Sequence, residues 1–100
     1  MMIERLFVYG SLREPAVQMR IIGRTIEGTP DVLEGYTRKW VQFPEGEFPM
    51  IVPEPGSEVD GLILDVTADE MPLLDCYETD AYRRIRVTLK SGIETWVYAE

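Results

Sequence analysis

Apolar residues in this chain fall in short runs broken by Gly, Pro and charged positions, a pattern of strands and turns more than of long helices. Leu6-Phe7-Val8-Tyr9 reads as a buried first strand, ended by Gly10-Ser11. Pro15 suits the first position of a helix, where its missing N–H costs nothing. Val17, Ile21 and Ile22 can line one face of that helix, and Gly23 suits its C-terminal cap. Thr25 to Leu33 contains Gly28 and Pro30 and predicts an irregular or edge strand. A turn at Gly35 then leads into a strand over Tyr36 to Phe43. Pro44 to Glu47 is a turn by composition, and Phe48 to Val52 is a short strand closed by a turn at Pro53-Glu54-Pro55-Gly56. Val59 to Val66 carries Leu62, Ile63 and Leu64 in a row, which predicts a strand covered on both faces.

A second helix is predicted over Thr67 to Tyr77. Thr67 and Glu70 have capping-box spacing, but that register would place Pro72 too deep in the helix. Asp69 is therefore the preferred N-cap. Arg84 to Leu89 and Thr95 to Ala99 form a final hairpin around Lys90-Ser91-Gly92. The order β-α-β-β-β-β-α-β-β is α/β, mixed and strand-rich. It predicts a small barrel-like mixed sheet with flanking helices.

Composition narrows the chemistry. The 100 residues make one expected domain, residues 1–100, and 45% hydrophobic content is that of a globular chain. No apolar run approaches the ~20 residues of a membrane span. Met1-Met2-Ile3-Glu4-Arg5 lacks the form of a signal peptide, so the cytoplasm is the expected compartment. The net charge of −8 disfavours nucleic acid and anionic membranes as partners. The sequence sets no oligomeric state. Histidine is absent. That removes His-based triads and nearly all zinc and non-haem iron sites, leaving carboxylates, Tyr, Lys or Cys for acid–base work. No metal or other cofactor is expected.

Two segments can carry chemistry. A buried strand running through Gly10-Ser11 into a helix leaves backbone N–H groups unpaired, which suits an anion. A plain β-to-α turn has the same residues. In Leu74-Asp75-Cys76-Tyr77-Glu78, a partly buried carboxylate would have its pKa raised into the general-base range, and the residues alone do not choose between Asp75 and Glu78. Cys76 reads as a buried structural thiol. Trp40 and Trp96 read as core or half-core, Tyr82 and Tyr98 as packing residues, and the Arg83-Arg84 pair as a partner for surface acids.

Four segments resemble, in order, the γ-glutamylcyclotransferase-like (AIG2-like) family. They are Leu6-Phe7-Val8-Tyr9-Gly10-Ser11-Leu12, Phe48 to Gly56, Val59 to Val66, and Leu74-Asp75-Cys76-Tyr77-Glu78 followed by Tyr82-Arg83-Arg84. The likeness runs from about Ile3 to Tyr98. It implies a barrel-like sheet with a cavity at one end. It also implies that the backbone of Tyr9, Gly10, Ser11 and Leu12 receives the substrate's carboxylate end, that Glu78 is the catalytic acid–base, and that Tyr82 lines the pocket. The implied reaction releases 5-oxoproline and a free amine from a small γ-glutamyl amine or γ-glutamyl amino acid, without cofactor. A non-catalytic module binding a small carboxylate is the alternative on the same fold. Thr79 stands where many members of the resembled family have Gly, and leaves Thr79-Asp80-Ala81 less free to adopt positive φ. Longer relatives carry further C-terminal elements that help close the pocket.

Overall fold

The computed structural model describes residues 2–79 and 81–99. Among them the chain runs β1 (Ile3–Val8), a 3-10 turn (Ser11–Arg13), α1 (Pro15–Ile22), β2 (Thr29–Phe43), β3 (Gly46–Thr67), α2 (Met71–Glu78), β4 (Arg83–Thr88) and β5 (Glu94–Ala99). One sheet of order β2-β3-β1-β5-β4 contains all five strands. β1 pairs antiparallel with β3 and parallel with β5, so the sheet is mixed, as its strand-rich sequence predicts. It curves into a half-barrel with two flanking helices.

Seven strands were expected and five are observed, because β2 and β3 each absorb two. Gly35 and the Pro53-Glu54-Pro55-Gly56 segment do not reverse the chain. At Gly35, φ is +83°, and the β2/β3 register jumps from Tyr36 opposite Pro53 to Glu34 opposite Glu58. Residues 54–57 therefore bulge opposite one glycine. Proline has no N–H for a ladder, so these residues break pairing locally. Leu33, Ile51 and Val59 lie in one apolar cluster on both sides of the bulge, which keeps the strands on course. The reversal lies at Pro44-Glu45, where Phe43 pairs with Gly46.

Pro15 opens α1, and Gly23 closes it at φ +78° with its N–H on the Met19 carbonyl at 3.0 Å. Both are where the sequence puts them. At α2 the preferred Asp69 cap is incorrect: the N-cap is Glu70. Thr67 N–H donates to Glu70 Oε1 at 2.9 Å and Glu70 N–H to Thr67 Oγ1 at 3.2 Å. This reciprocal pair closes the turn ahead of the helix, and Pro72 falls harmlessly in the first helical turn. Arg24 adds a bidentate pair to Glu70 at 2.7 and 2.8 Å and, as the main cause, pulls that carboxyl down to about 2.

Apolar side chains bury both faces of the sheet. Phe7, Tyr9, Ile51, Ile63 and Val97 form one cluster. Leu6, Val8, Leu64, Val66 and Tyr98 meet Leu12, Met71 and Leu74 under the helices. β3 alternates Ile63 into one cluster and Leu64 into the other, the predicted double covering. Two expectations fail. Trp40 is 63% exposed, because it lies on the outer half of the β2/β3 hairpin. Cys76 is exposed, because α2 turns Met71 and Leu74 inward and residue 76 to the other side. Among the described residues no helix is long and apolar enough to cross a membrane.

Phe7 rests on Gly61. A Cβ at position 61 would stand 2.4 Å from the Val8 carbonyl oxygen and 2.6 Å from the Phe7 ring. Backbone on one side and a fully buried ring on the other leave nothing free to give way. Gly61→Ala is expected to destabilise by about 1–3 kcal/mol, lowering Tm by about 4–8 °C for each kcal/mol. Thermal unfolding of the variant at unchanged Tm would contradict the contact.

Candidate active site

Strand β1 ends at Val8, between β3 and β5, and delivers Tyr9 to Leu12 to one end of the half-barrel. α2 ends at the same place with Tyr77 and Glu78. Between them lies a cavity of ≈ 330 Å³, near the lower end of the roughly 300–1,000 Å³ typical of small-ligand sites. Tyr9, Gly10, Ser11, Leu12, Glu78 and Tyr82 all line it. These six residues therefore share one space, and Asp75, the other candidate carboxylate, does not line it.

Their side chains do different things. The Tyr9 hydroxyl donates to the Tyr98 carbonyl at 2.7 Å. Burial above all, and then the charges of Tyr82 and Glu78, push this phenol up. Tyr9 thus bolts the end of β1 to β5, and what it offers a ligand is its backbone and ring. The Tyr82 hydroxyl donates to the Pro49 carbonyl at 2.7 Å, and burial, aided by Glu78, pushes it up to about 12. Ser11 Oγ and the Tyr77 hydroxyl stand 2.7 Å apart. Gly10 sits against Pro49, whose Cγ would lie 3.1 Å from an added Cβ.

Asp75 and Glu78, equivalent in the sequence, differ in the structure. Asp75 accepts from the Tyr98 hydroxyl at 2.7 Å and pairs with Arg84 at 3.5 Å, outside the cavity lining. Arg84 in turn stacks on Trp96 at 4.7 Å, so that carboxylate is structural. Glu78 is half-buried, and no hydrogen bond or ion pair holds its carboxylate among the described residues. Loss of water alone pushes it up to about 7 from its ordinary 4.5.

Thr79 follows at φ +62°, ψ −173°, the only positive φ at a non-glycine among the described residues. Its N–H closes α2 on the Asp75 carbonyl at 3.1 Å. The restriction expected of a threonine here does not prevent the turn; Asp80 lies outside the described residues. Among the described residues no three His, Cys, Asp or Glu side chains gather as a metal site.

The model of the family described as γ-glutamyl cyclotransferase, AIG2-like, matches residues 6–100. The chain belongs to that family. Protein AIG2 C of Arabidopsis thaliana is 35% identical over 102 residues, which cover 93% of this chain and 60% of the relative. AIG2-like protein A of the same plant is 35% identical over 104 residues, 96% of this chain and 62% of the relative. The chain thus spans about half to three fifths of the length of the curated AIG2-like proteins it matches. The solution structure of Arabidopsis thaliana At5g39720.1 superposes with a TM-score of 0.85 at 30% identity, covering 99% of this chain and 69% of that one. A solved γ-glutamyl cyclotransferase, 20% identical, has the same fold, with a TM-score of 0.80 over 98% of this chain and 66% of its own.

Several residues of this AIG2-like site escape a reading of the sequence. Phe43, Phe48 and Pro49 wall the cavity from the β2/β3 hairpin. Gln18 is fully buried, a rare state for its type, and ties the Leu12 carbonyl to the Ile26 N–H at 2.8 Å each. Its place on the apolar face of α1, between Val17 and Ile21, was the available signal.

The Glu78 carboxyl has a stability signature. Between pH 4.5 and about 7 the native state holds a proton that the unfolded chain has lost. The Glu78 contribution to stability is therefore full below about pH 4.5 and declines as pH rises through this window, by at most about 3 kcal/mol. Glu78→Gln removes that decline. Urea unfolding at about pH 5 and about pH 8 is expected to show the variant gaining on the parent at the higher pH. An equal difference at both values would mean that the carboxylate is solvated.

Proposed function

We propose that this chain catalyses internal cyclisation of a small γ-glutamyl compound, releasing 5-oxoproline and a free amine. The observation that carries the reading is the pairing of Glu78, at about 7, with a turn of amides across one small cavity, neither having a partner among the described residues. Family membership and the shared fold of a solved γ-glutamyl cyclotransferase support it.

The substrate's α-carboxylate is held by the backbone N–H groups of the Gly10 to Leu12 turn. Its α-ammonium lies toward Glu78, whose raised pKa brings the carboxylate closer in proton affinity to an amine. Glu78 takes a proton from the ammonium, and the freed amine attacks the γ-carbonyl carbon. A C–N bond forms and closes the five-membered lactam. As the original amide C–N bond breaks, the proton on Glu78 passes to the leaving nitrogen, and the carboxylate so restored takes the second proton from the new ring nitrogen and yields it to the departing amine, leaving a neutral lactam. Nucleophile and electrophile belong to one molecule, so proximity needs only the correct fold of the glutamyl chain. Tyr82, Phe43 and Phe48 supply an apolar wall that keeps water from competing for the carboxylate.

A panel of γ-glutamyl amines and γ-glutamyl amino acids, scored for 5-oxoproline, tests the reading. Glu78→Gln is expected to lower kcat/KM by roughly 10²–10⁴, and kcat/KM of the parent is expected to rise with pH through about 7. Equal turnover by the variant would remove Glu78 from the mechanism. Carboxylate binding with no product from any substrate would return the site to a binding module.

A further inference from the structure

The Tyr9 to Leu12 turn is asymmetric in its hydrogen bonding. All four of its carbonyls are engaged. Arg38 Nη1 donates to Tyr9 O at 3.0 Å, and Arg13 donates to Gly10 O through both its backbone N–H and its Nε, at 3.1 Å each. Glu14 N–H donates to Ser11 O at 3.0 Å, and Gln18 Nε2 to Leu12 O at 2.8 Å. In contrast, the N–H groups of Gly10, Ser11 and Leu12 reach no acceptor among the described residues. Arg13, Glu14, Gln18 and Arg38 all lie outside the cavity lining, whereas Tyr9 to Leu12 line it.

In a trans peptide the C=O of one residue and the N–H of the next point to opposite sides of one rigid plane. Fixing the carbonyl from outside therefore aims the following N–H the other way. Glu14 and Arg13 are chain neighbours of the peptides they hold. Arg38 is not: it reaches in from β2, 29 residues away in sequence. Its charge polarises the Tyr9 carbonyl and, through the shared plane, makes the Gly10 N–H a stronger donor.

We propose that Arg38 is a positioning residue, whose hydrogen bond to the Tyr9 carbonyl orients and strengthens the Gly10 N–H as an anion donor. This rests on the reading of the turn as the carboxylate site. Arg38 touches no substrate atom and moves no proton, so its loss falls on binding and not on the chemical step.

The test combines Arg38→Met, which keeps the stem and removes the donors, with Arg38→Lys, which keeps charge and one donor head. The probe is 5-oxoproline, followed by calorimetry, alongside KM and kcat for whichever γ-glutamyl compound turns over. The expected result is a rise of roughly tenfold in Kd and KM for Arg38→Met, with kcat within about twofold, and partial recovery in Arg38→Lys. The Gly10 amide proton, observed by NMR without ligand, is expected to move upfield in Arg38→Met. Unchanged Kd and an unmoved Gly10 amide would overturn the proposal, as would a fall in kcat at constant KM. If the parent binds no 5-oxoproline, the carboxylate reading fails, and the ligand-free Gly10 shift still decides whether Arg38 sets that peptide. If Arg38→Met does not fold, Arg38→Lys is read by the same two measurements: a weaker Kd with a displaced Gly10 amide supports positioning, and parental values of both overturn it.

Discussion

Strand β1 has a neighbour on each side and apolar layers on both faces, and the site follows from that confinement. Its antiparallel register with β3 and parallel register with β5 leave it no lateral freedom. Phe7 presses on the bare backbone at Gly61, and the Tyr9 hydroxyl is pinned to the last strand. A turn leaving a strand so constrained has a fixed origin. The 3-10 geometry at Ser11–Arg13, the proline opening α1 and the buried Gln18 then fix its direction.

The other half of the site follows the opposite logic. Two other carboxylates at or beside α2 are satisfied: Glu70 by Arg24 and the Thr67 N–H, Asp75 by Tyr98 and Arg84. Glu78 is set apart from these, half out of water and without a partner among the described residues. A partly buried carboxylate without a donor works against folding at neutral pH, and natural chains retain such groups where chemistry needs them. The three tyrosines that feel its charge, Tyr9, Tyr82 and Tyr98, are themselves pushed toward the neutral form. They cannot compete as acids, so the low-pKa proton in the cavity belongs to Glu78.

Much of this could be read from the sequence, for identifiable reasons. The first strand, its glycine turn and the capped α1 are contiguous, so local preferences and the family pattern agree there. The long strands were hidden, because Pro and Gly mark interrupted pairing equally well at a reversal and at a bulge. Only the shared cluster of Leu33, Ile51 and Val59 separates the two. Trp40 and Cys76 were misplaced by residue type, since hydrophobic character does not say which half of a hairpin or which side of a helix meets the core. Asp75 and Glu78 have similar local surroundings. Their difference comes from Tyr98 and Arg84, which the sheet brings to one and withholds from the other. Arg38 was illegible for the same reason, its partner being a main-chain oxygen far along the chain.

Thr79 gives the arrangement a mechanical consequence. It holds a backbone conformation that glycine enters freely and a β-branched residue resists, at a cost of order 1–3 kcal/mol. The strain sits one residue beyond Glu78, where α2 has only its last turn to restrain it. Stored there, it acts as a preloaded spring on the end of the helix: whatever loosens the grip of Tyr82 or of the Asp75 carbonyl lets the segment relax. The sheet can then remain intact while the carboxylate leaves its post, so loss of the site on warming can precede loss of the fold.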